Sequence, residues 1–284
     1  MIPFLCAVTQ YLTGQHVELV PHRTTADLKL ITERTLARWL VSLGPTFSHV
    51  GRMPISLLPP VLLNRFLRIH GFGSRTIFIT AENLQHPAWV GVGDLIRRSS
   101  LPRLTSWPKE IDQEGERLPY WYSHVDWPEL RDLGPRVYPR YGQLLNLETL
   151  MQPLSFNEAK IDSVAVMVSH SKFPRNKVLD QISNRYRLDV PTTVDRDLPK
   201  FQFFNRYKYA FAGENSIGIG YCTEKVPEAW QAGCFPMGVF SSPHSDWNED
   251  VLGLYQHSMA ALEQPLLKKR PSLNDVVAYV KAQL

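Results

Sequence analysis

The C-terminal half of the chain alternates between short apolar runs and amphipathic stretches. Residues 163–170 and 208–215 are apolar runs of strand length, and each is followed by a stretch whose apolar positions have helical spacing. A third apolar run, 234–240, follows the second of these helices, and the chain closes with a helical stretch at 272–284. Strands that alternate with helices predict a parallel sheet covered by helices.

The N-terminal half shows the same two kinds of segment. An apolar patch in residues 1–16 predicts a first core strand, and apolar spacing over 24–43 predicts a helix that ends before a Gly-Pro pair. A second helix is predicted at 60–70. The β-branched and aromatic run 75–83 then predicts a buried strand that ends in a polar turn.

The middle of the chain, residues 84–150, is rich in Pro, Trp and Tyr and shows little periodicity. It predicts loops, short helices and a connection between two domains. We place the boundary near residue 152, which divides the chain into an N-terminal domain, 1–152, and a C-terminal domain, 153–284. At 284 residues, the chain is long enough to give each domain its own core.

Composition narrows the classes of function. The chain is 44% hydrophobic and 20% charged, as expected of a globular protein, and its net charge of +4 is a mild excess. Such a charge permits an anionic substrate, but a dedicated nucleic-acid binder would carry a denser basic face. We therefore expect no nucleic-acid partner.

The cysteines and the N-terminus indicate a cytoplasmic protein. Cys6, Cys222 and Cys234 are widely scattered and define neither a disulfide framework nor a zinc site. The N-terminal apolar patch lacks the basic start and the cleavage site of a signal peptide. It is also shorter than the roughly 20 apolar residues of a membrane span, so we expect no transmembrane segment.

Polar residues crowd the junction between the apolar run 208–215 and the helix that follows it. They are Glu214, Asn215, Tyr221, Glu224 and Lys225. In parallel α/β sheets, ligands bind beyond the carboxyl ends of the strands, which is where this junction falls. A packed core has no use for so many polar groups, whereas a site for an anionic ligand does. The alternatives are a helix-start acid for Glu224 and a surface residue for Lys225.

Arg175 offers a second cation at another strand end. It follows the apolar run 163–170 and begins a predicted helix behind Pro174. A guanidinium group there can grip a phosphate through two parallel hydrogen bonds, although a solvated first-turn arginine is the competing interpretation. Together with Lys225, Arg175 favours a diphosphate ligand.

Glu82 ends the predicted strand 75–83 in the N-terminal half. A carboxylate at the end of a strand is a candidate general base. A loop carboxylate that caps a turn explains the residue equally well.

The Asp195-Arg196-Asp197 triplet imitates a DxD metal motif. It lies in a polar loop, however, with no apolar strand leading into it. No pair of histidines has the spacing of metal ligands. We therefore predict no metal and no other cofactor.

The run from Tyr207 to Met237 resembles the α-1,3/4-fucosyltransferases, glycosyltransferase family 10. The hallmark of that family is approximately Tyr-Lys-Phe, then Phe-Glu-Asn followed by Ser or Thr, then Tyr-x-Thr-Glu-Lys, a helix, and Gly-x-x-Pro. The matching residues stand in the same order: Tyr207, Lys208 and Tyr209, Glu214, Asn215 and Ser216, Tyr221, Thr223, Glu224 and Lys225, Gly233 and Pro236. Weaker matches in VSHSKFPRNKVLDQI, IFITAEN and RLPYW extend the resemblance to residues 75–240.

This resemblance implies a GT-B fold, in which two Rossmann-like α/β domains face each other across a cleft. It implies inverting transfer of L-fucose from GDP-fucose to a hydroxyl of an oligosaccharide acceptor, of which N-acetyllactosamine-type glycans are one candidate. The N-terminal domain would carry the acceptor site and Glu82 as the base. The C-terminal domain would hold the nucleotide sugar, with Arg175 and Lys225 stabilising the departing diphosphate.

The resemblance assigns the other four candidates to the donor as well. Glu224 would bind the ribose hydroxyls, and Tyr221 would help to hold the diphosphate or the nucleoside. Glu214 and Asn215 would line the fucose side.

Two positions depart from the family pattern. Gly213 stands where the family has phenylalanine, which could loosen the pocket, and Pro227 stands where the family prefers aliphatic residues. Two alternative functions therefore stay open. One is a GT-B transferase that uses another nucleotide sugar, and the other is a non-catalytic glycan-binding relative.

Overall fold

The computed structural model describes residues 2–13, 29–42, 49–50, 53–54, 58–72, 76–80, 82–133, 138, 140–154, 157, 159–239, 246–255 and 263–283. The chain divides into two compact units. Unit 1 comprises Met1–Pro119 together with Leu273–Leu284, and unit 2 comprises Tyr120–Ser272. None of the helices in the described ranges has the length and apolarity that a membrane span requires.

The regular elements are short. The strands are β1 (Lys29–Ile31), β2 (His49–Val50), β3 (Met53–Pro54), β4 (Thr76–Ile79), β5 (Arg103–Thr105), β6 (Glu116–Arg117), β7 (Ile161–Ala165), β8 (Leu188–Asp189), β9 (Tyr207–Phe211) and β10 (Phe235–Met237). The α-helices are α1 (Ile2–Thr13), α2 (Glu33–Ser42), α3 (Pro60–Ile69), α4 (Val90–Arg98), α5 (Leu147–Leu150), α6 (Arg175–Ser183), α7 (Thr193–Arg196), α8 (Lys200–Phe204), α9 (Lys225–Gln231) and α10 (Asn274–Lys281). Short 3-10 helices span Tyr120–His124, Pro128–Leu133 and Glu249–Val251.

The division into units differs from the predicted boundary near residue 152. The aromatic segment before that boundary belongs to unit 2, where Trp121, Trp127 and Tyr141 are buried. The last helix returns to unit 1, where the Tyr279 hydroxyl accepts the backbone N–H of Arg103 at 2.8 Å. These contacts join residues far apart in the sequence, so no local pattern reveals them.

Unit 1 contains a parallel sheet in the order β1-β4-β5-β6. Every residue of β4 is buried, the pattern of a strand that is covered on both faces. This strand confirms the one predicted at 75–83, whose residues 75 and 81 lie outside the described part. The helix predicted at 60–70 is confirmed by α3, which buries Leu63 and Leu67 one turn apart.

Two predictions for the start of unit 1 are wrong. The N-terminal apolar patch forms the helix α1 rather than a strand, with Phe4 and Val8 buried one turn apart. A short apolar run without polar alternation fits either element. In the predicted helix 24–43, residues 29–31 instead form β1, because they pair in parallel with β4. The helix itself begins at Glu33, and residues 24–28 and 43 lie outside the described part.

Unit 2 contains a second parallel sheet, in the order β10-β9-β7-β8. The strands and helices predicted for this half are confirmed in type, but the strands end early. β7 stops at Ala165 and β9 at Phe211, so that residues 166–174 (the β7 loop) and 212–224 (the β9 loop) lie beyond the strand ends. Helices and parallel sheets in both units confirm the predicted α/β class.

Candidate functional site

The β7 and β9 loops leave the same edge of the unit 2 sheet. β7 and β9 are parallel neighbours, with Ala165 opposite Ala210, so the two loops leave the sheet side by side. The β7 loop leads to Arg175 at the start of α6, and the β9 loop leads to Lys225 at the start of α9. This is the edge at which doubly wound α/β sheets bind ligands.

Glu214 holds the side chain of Lys225. The Nζ of Lys225 lies 2.9 Å from Oε2 of Glu214 and 2.6 Å from Oγ1 of Thr223. Glu214 also accepts the backbone N–H of Thr223 at 2.9 Å and its hydroxyl at 2.7 Å. Thr223 therefore donates its hydrogen bonds to Glu214 and does not cap the helix, whose N-cap residue is Glu224. Each of these contacts of Glu214 is to the chain itself, which makes it a positioning residue for Lys225.

Glu224 is an ionised carboxylate beside the same lysine. Its Oε1 lies 3.6 Å from Nζ of Lys225, and its Oε2 is buried without a hydrogen-bond partner among the described residues. Burial by itself raises the pKa of Glu224, but the positive charges of Lys225, of His124 once it is protonated in acid, and of Lys200 lower it to about 2. Burial lowers the pKa of Lys225, but Glu214 and Glu224 reverse this and raise it. Both side chains are therefore charged at neutral pH.

Arg175 ties the two loops together. Its side chain is buried, with Nε 3.2 Å from the carbonyl oxygen of Gly213 and Nη1 3.3 Å from that of His170. Burial lowers the pKa of Arg175 more than the nearby carboxylates of Glu214 and Glu224 raise it. The described contacts thus place a desolvated cation at the sheet edge.

Tyr221 and Asn215 complete the set of predicted donor residues. The hydroxyl of buried Tyr221 donates to Oδ1 of Asn215 at 3.0 Å within the β9 loop. The six predicted donor residues therefore lie in the two adjoining loops and at the starts of their helices. Their binding of a donor stays a prediction.

A cavity opens beside these loops. It has a volume of about 570 Å³, within the range typical of ligand sites, and its lining includes Arg140, Ser169, Arg196 and Asp197. A second cavity of about 30 Å³ shares Arg140 and residues 167–169 with the first, and it is also lined by the four charged side chains of Arg175, Lys200, Glu224 and Lys225. The two cavities therefore adjoin, and the charged cluster lines the smaller one.

Lys200 and Glu228 were missed from the sequence. They form a buried ion pair, with 8% and 0% of their side chains exposed. Burial raises the pKa of Glu228, and the positive charge of Lys200 partly offsets this. The available signal was an acid between Pro227 and Ala229 on the buried face of α9, where apolar residues are expected.

His124 is a second buried polar group that the sequence did not reveal. Its ring packs against those of Tyr120 and Tyr138, with centroids 4.8 and 4.1 Å away. Burial lowers the pKa of His124 to about 4, although the carboxylate of Glu224 opposes the shift. The imidazole is therefore neutral at physiological pH.

Gly213 does not loosen the pocket, contrary to the expectation from the sequence. A Cβ at this position would lie 2.4 Å from Cζ of Phe211, so the Phe211 ring fills the space that a larger residue would need. The same ring lies against Gly238, where a Cβ would meet it at 2.6 Å and the backbone φ is +74°. Phe211 lines the smaller cavity.

The Asp195-Arg196-Asp197 triplet divides into two roles. Asp195 accepts hydrogen bonds from the backbone and hydroxyl of Thr192 and pairs with Nη2 of Arg206 at 2.8 Å. Asp197 instead lines the larger cavity. Among the residues that the structure describes, no group of three His, Cys, Asp or Glu side chains could hold a metal ion.

Glu82 belongs to unit 1 and lies three residues beyond the end of β4, two residues after Thr80. Its backbone N–H donates to the Thr80 hydroxyl at 2.9 Å, and Asn83 caps the next turn by accepting the N–H of Gln85 at 2.9 Å. The Glu82 carboxylate is 35% exposed and lies 4.0 Å from Nη2 of Arg34. Two other side chains thus cap this turn, and the carboxylate remains accessible.

The comparisons with known proteins concern the fold. No family model matches the chain. A crystal structure of an α1,3-fucosyltransferase aligns with 99% of this chain and 96% of its own at a TM-score of 0.52 and 14% sequence identity. The corresponding structures with GDP-fucose and with GDP align at TM-scores of 0.48 and 0.44, with 12% and 14% identity, over 100% and 88% of this chain and 97% and 78% of theirs. The first alignment confirms the fold that the sequence resemblance implied, the α/β fold of GT-B fucosyltransferases.

Proposed function

We propose that the protein is a fucosyltransferase-type glycosyltransferase that moves L-fucose from GDP-fucose to a hydroxyl of an acceptor glycan, with inversion at the anomeric carbon. The observation that carries this proposal is the pair of desolvated cations, Arg175 and Lys225, beside a cavity at the ligand-binding edge of unit 2. The motif from Tyr207 to Met237 supports it, as does the shared fold with an α1,3-fucosyltransferase.

Arg175 and Lys225 would act on the leaving group. When the bond between the fucose C1 and the phosphate oxygen breaks, its electron pair stays with GDP, and negative charge grows on the diphosphate. Positive charges already fixed in a site of low dielectric stabilise such a transition state without reorganisation. Glu214 supports this role because it fixes the position of Lys225 before the donor arrives.

Glu224 suits the binding of a ribose. A carboxylate whose pKa is lowered to about 2 stays ionised and can only accept hydrogen bonds, so it pairs with hydroxyl donors such as the 2′ and 3′ groups of a ribose. Its Oε2, buried without a described partner, supplies an acceptor for this purpose. Tyr221 and Asn215 would orient the rest of the donor through their shared hydrogen bond.

Glu82 would serve as the general base. The acceptor oxygen attacks C1 of fucose, its proton moves to the Glu82 carboxylate, and GDP leaves from the opposite face. The carbon passes through an oxocarbenium-like state of the kind known from glycoside hydrolysis. An accessible carboxylate after a strand end is the feature that supports this assignment.

The cations of the site would take the place of a divalent metal. We expect transfer to persist in excess EDTA, because Arg175 and Lys225 can neutralise the diphosphate themselves. Loss of transfer in EDTA and recovery with Mn²⁺ would contradict this and direct attention to Asp197.

A donor and acceptor screen tests the proposed function. The purified protein is incubated with GDP-fucose, GDP-mannose, UDP-galactose or UDP-N-acetylglucosamine and a panel of glycans that includes N-acetyllactosamine, and products are identified by mass spectrometry. Transfer from GDP-fucose with inverted product is the expected result. Transfer from another donor alone would replace fucose by that sugar, and tight binding of glycans without any transfer would establish the non-catalytic alternative.

A further inference from the structure

The lining of the larger cavity includes a carboxylate that the proposed chemistry does not use. Asp197 lines this cavity, and its side chain makes no hydrogen bond or ion pair with another residue in the described part of the chain. Asp195, two residues earlier, is held by Thr192 and Arg206. The two acids of the triplet thus differ: one is committed to the fold, and the other faces a cavity without a partner.

The surroundings of Asp197 combine apolar and polar groups. Val190, Pro191 and Leu198 supply apolar surface to the cavity, and Arg196 supplies a planar cation next to Asp197. Flat heterocycles are bound in proteins between such apolar and guanidinium surfaces, while their edges are recognised by hydrogen bonds. A nucleobase fits this combination.

The charges that line the two cavities favour one orientation of a bound nucleotide, with its phosphates in the smaller cavity and its base in the larger. The smaller cavity is lined by Arg175, Lys200 and Lys225 against one acid, Glu224, whereas Arg196 and Asp197 line only the larger one, and Arg140 and residues 167–169 line both. The smaller cavity, about 30 Å³ against about 570 Å³, is much the smaller of the two, so the bulky part of a ligand fits better in the larger one. A phosphate group would be attracted more strongly to the smaller cavity, where three cations outnumber Glu224, than to the larger one, where Asp197 offsets Arg196.

We propose that Asp197 selects guanine, its carboxylate accepting the N1–H and the 2-amino group of the base in the larger cavity. This inference rests on the proposed function, since it names the residue that reads the base of the donor. An ionised carboxylate has two acceptors and no donor. Guanine presents two adjacent N–H donors on its Watson–Crick edge, whereas adenine, cytosine and uracil place an acceptor beside their donor there, which a carboxylate disfavours.

Calorimetric titration with four nucleotides tests this inference. The wild-type protein, Asp197→Asn and Asp197→Ala are titrated with GDP, IDP, ADP and UDP, where IDP is the inosine nucleotide that lacks the 2-amino group. Asp162→Asn is the matched control, because Asp162 is exposed on β7 near its start, at the opposite end of the strand from the cavity.

The wild-type protein is expected to bind GDP about tenfold or more tightly than IDP, the value of one hydrogen bond to a charged group. Asp197→Asn and Asp197→Ala should weaken GDP binding about 10- to 100-fold and remove the difference between GDP and IDP. The control should keep both values. Equal melting temperatures would show that the variants are folded, as an exposed side chain without a protein partner predicts.

The outcomes separate the inference from the function on which it rests. If the wild-type protein binds GDP and the Asp197 variants keep the same preference for GDP over IDP, the inference is wrong and the proposed function stands. If the wild-type protein binds none of the four nucleotides, both are wrong. A wild-type preference for UDP or ADP would overturn the guanine assignment and point to another nucleotide sugar.

Discussion

Unit 1 and unit 2 each bury an arginine next to a parallel sheet, and the two guanidinium groups have different partners. In unit 1, Arg103 meets both oxygens of Asp112, through Nε at 2.7 Å and Nη2 at 2.6 Å, and it donates to the carbonyls of Ser99 and Leu101. In unit 2, the hydrogen bonds of Arg175 go to the carbonyls of Gly213 and His170. One cation is matched by a bidentate carboxylate, and the other by neutral groups.

The pKa values follow this difference. Burial lowers the pKa of both guanidinium groups, but the hydrogen-bonded carboxylate of Asp112 reverses the effect and raises that of Arg103. For Arg175, burial outweighs the more distant Glu214 and Glu224, and the pKa is lowered. A buried cation such as Arg175, which lacks a hydrogen-bonded carboxylate, is stabilised when an anion binds beside it. Arg103 already has such a carboxylate in Asp112.

Position in the sheet agrees with this contrast. Arg103 is the first residue of β5, at the edge where strands begin. Arg175 follows the end of β7, at the edge where α/β sheets bind ligands, and it lines a cavity. A buried charge by itself therefore says little about function. The charge of its partner, the strand end and the cavity together distinguish a binding residue from a structural one.

The largest effect is expected from Glu82, the acid at the ligand-binding edge of unit 1. Glu82→Gln keeps shape and hydrogen bonding but cannot take a proton, so transfer should fall about 10²- to 10⁴-fold. Melting temperature and GDP affinity should stay unchanged, and Glu110→Gln, an exposed acid of the same unit, should transfer normally. Near-native single-turnover rates in Glu82→Gln would show that another carboxylate is the base. Glu82 would then be a structural residue, as Arg103 is at the opposite edge of the same sheet.

Asp112→Ala tests the structural role of the Arg103–Asp112 pair in unit 1. It leaves the buried Arg103 with the exposed carboxylate of Glu114, 3.4 Å away, as its remaining ionic partner, which should lower the free energy of unfolding by about 3–5 kcal/mol in a denaturant titration. Asp94→Ala removes an exposed pair with Arg97 in the same unit and should cost about 0–1 kcal/mol. The folded Asp112 variant should bind GDP normally. A loss of GDP affinity without a loss of stability would refute the structural assignment.

His124 tests whether burial in unit 2 acts on other cations as it does on Arg175. Its pKa in the folded protein, about 4, lies below the 6.5 of a free histidine, so the unfolded chain takes up this proton first as the pH falls. The stabilisation is complete above pH 6.5 and is lost toward pH 4, by about 3 kcal/mol. His124→Phe should flatten the stability curve in this window, and His86→Gln, at an exposed site, should not. An unchanged slope in His124→Phe would mean that another group titrates.

Arg175→Gln and Lys225→Ala probe the binding side of the comparison. Each removes a charge-assisted contact of about 1.5–3 kcal/mol, so GDP should bind about 10- to 100-fold more weakly in calorimetry. Lys177→Gln, an exposed cation on the same helix as Arg175, should bind GDP as the wild-type protein does. If neither variant affects GDP affinity, Arg175 is a structural residue like Arg103, and the donor site lies elsewhere.

The predictability of the fold differed between the two units. The helices α6 and α9 and the strand β9 were recognisable because each carries its own apolar period and turn residues. In unit 1, α1 and β1 were assigned to the wrong type, since a short apolar run is ambiguous and β1 exists through its pairing with β4. The segment that contains Trp121 and Tyr141 shows no regular apolar spacing, so the sequence did not reveal that these buried residues belong to unit 2.

The candidate site was predictable where it is continuous in sequence. The β9 loop carries Glu214, Asn215 and Tyr221 within eight positions and leads directly into Glu224 and Lys225, so a local motif was sufficient to find them. Arg140 lies in one segment and Asp197 and Lys200 in another, both outside the β9 loop, and their approach to the site depends on how these segments pack. A basic or acidic residue in a polar loop carries no signal of the cavity that it lines.

The sequence by itself determined the alternation of strands and helices in unit 2 and the chemical types of the residues after β9, because both depend on neighbours within a few positions. The tertiary structure alone decided which of these charges are matched. Lys225 was met by Glu214 and Glu224, Lys200 by Glu228 and Arg103 by Asp112, while Arg175 was left with carbonyl groups. The energy of a buried charge depends on the few ångströms around it and on the exclusion of water, and these are properties of packing rather than of sequence order.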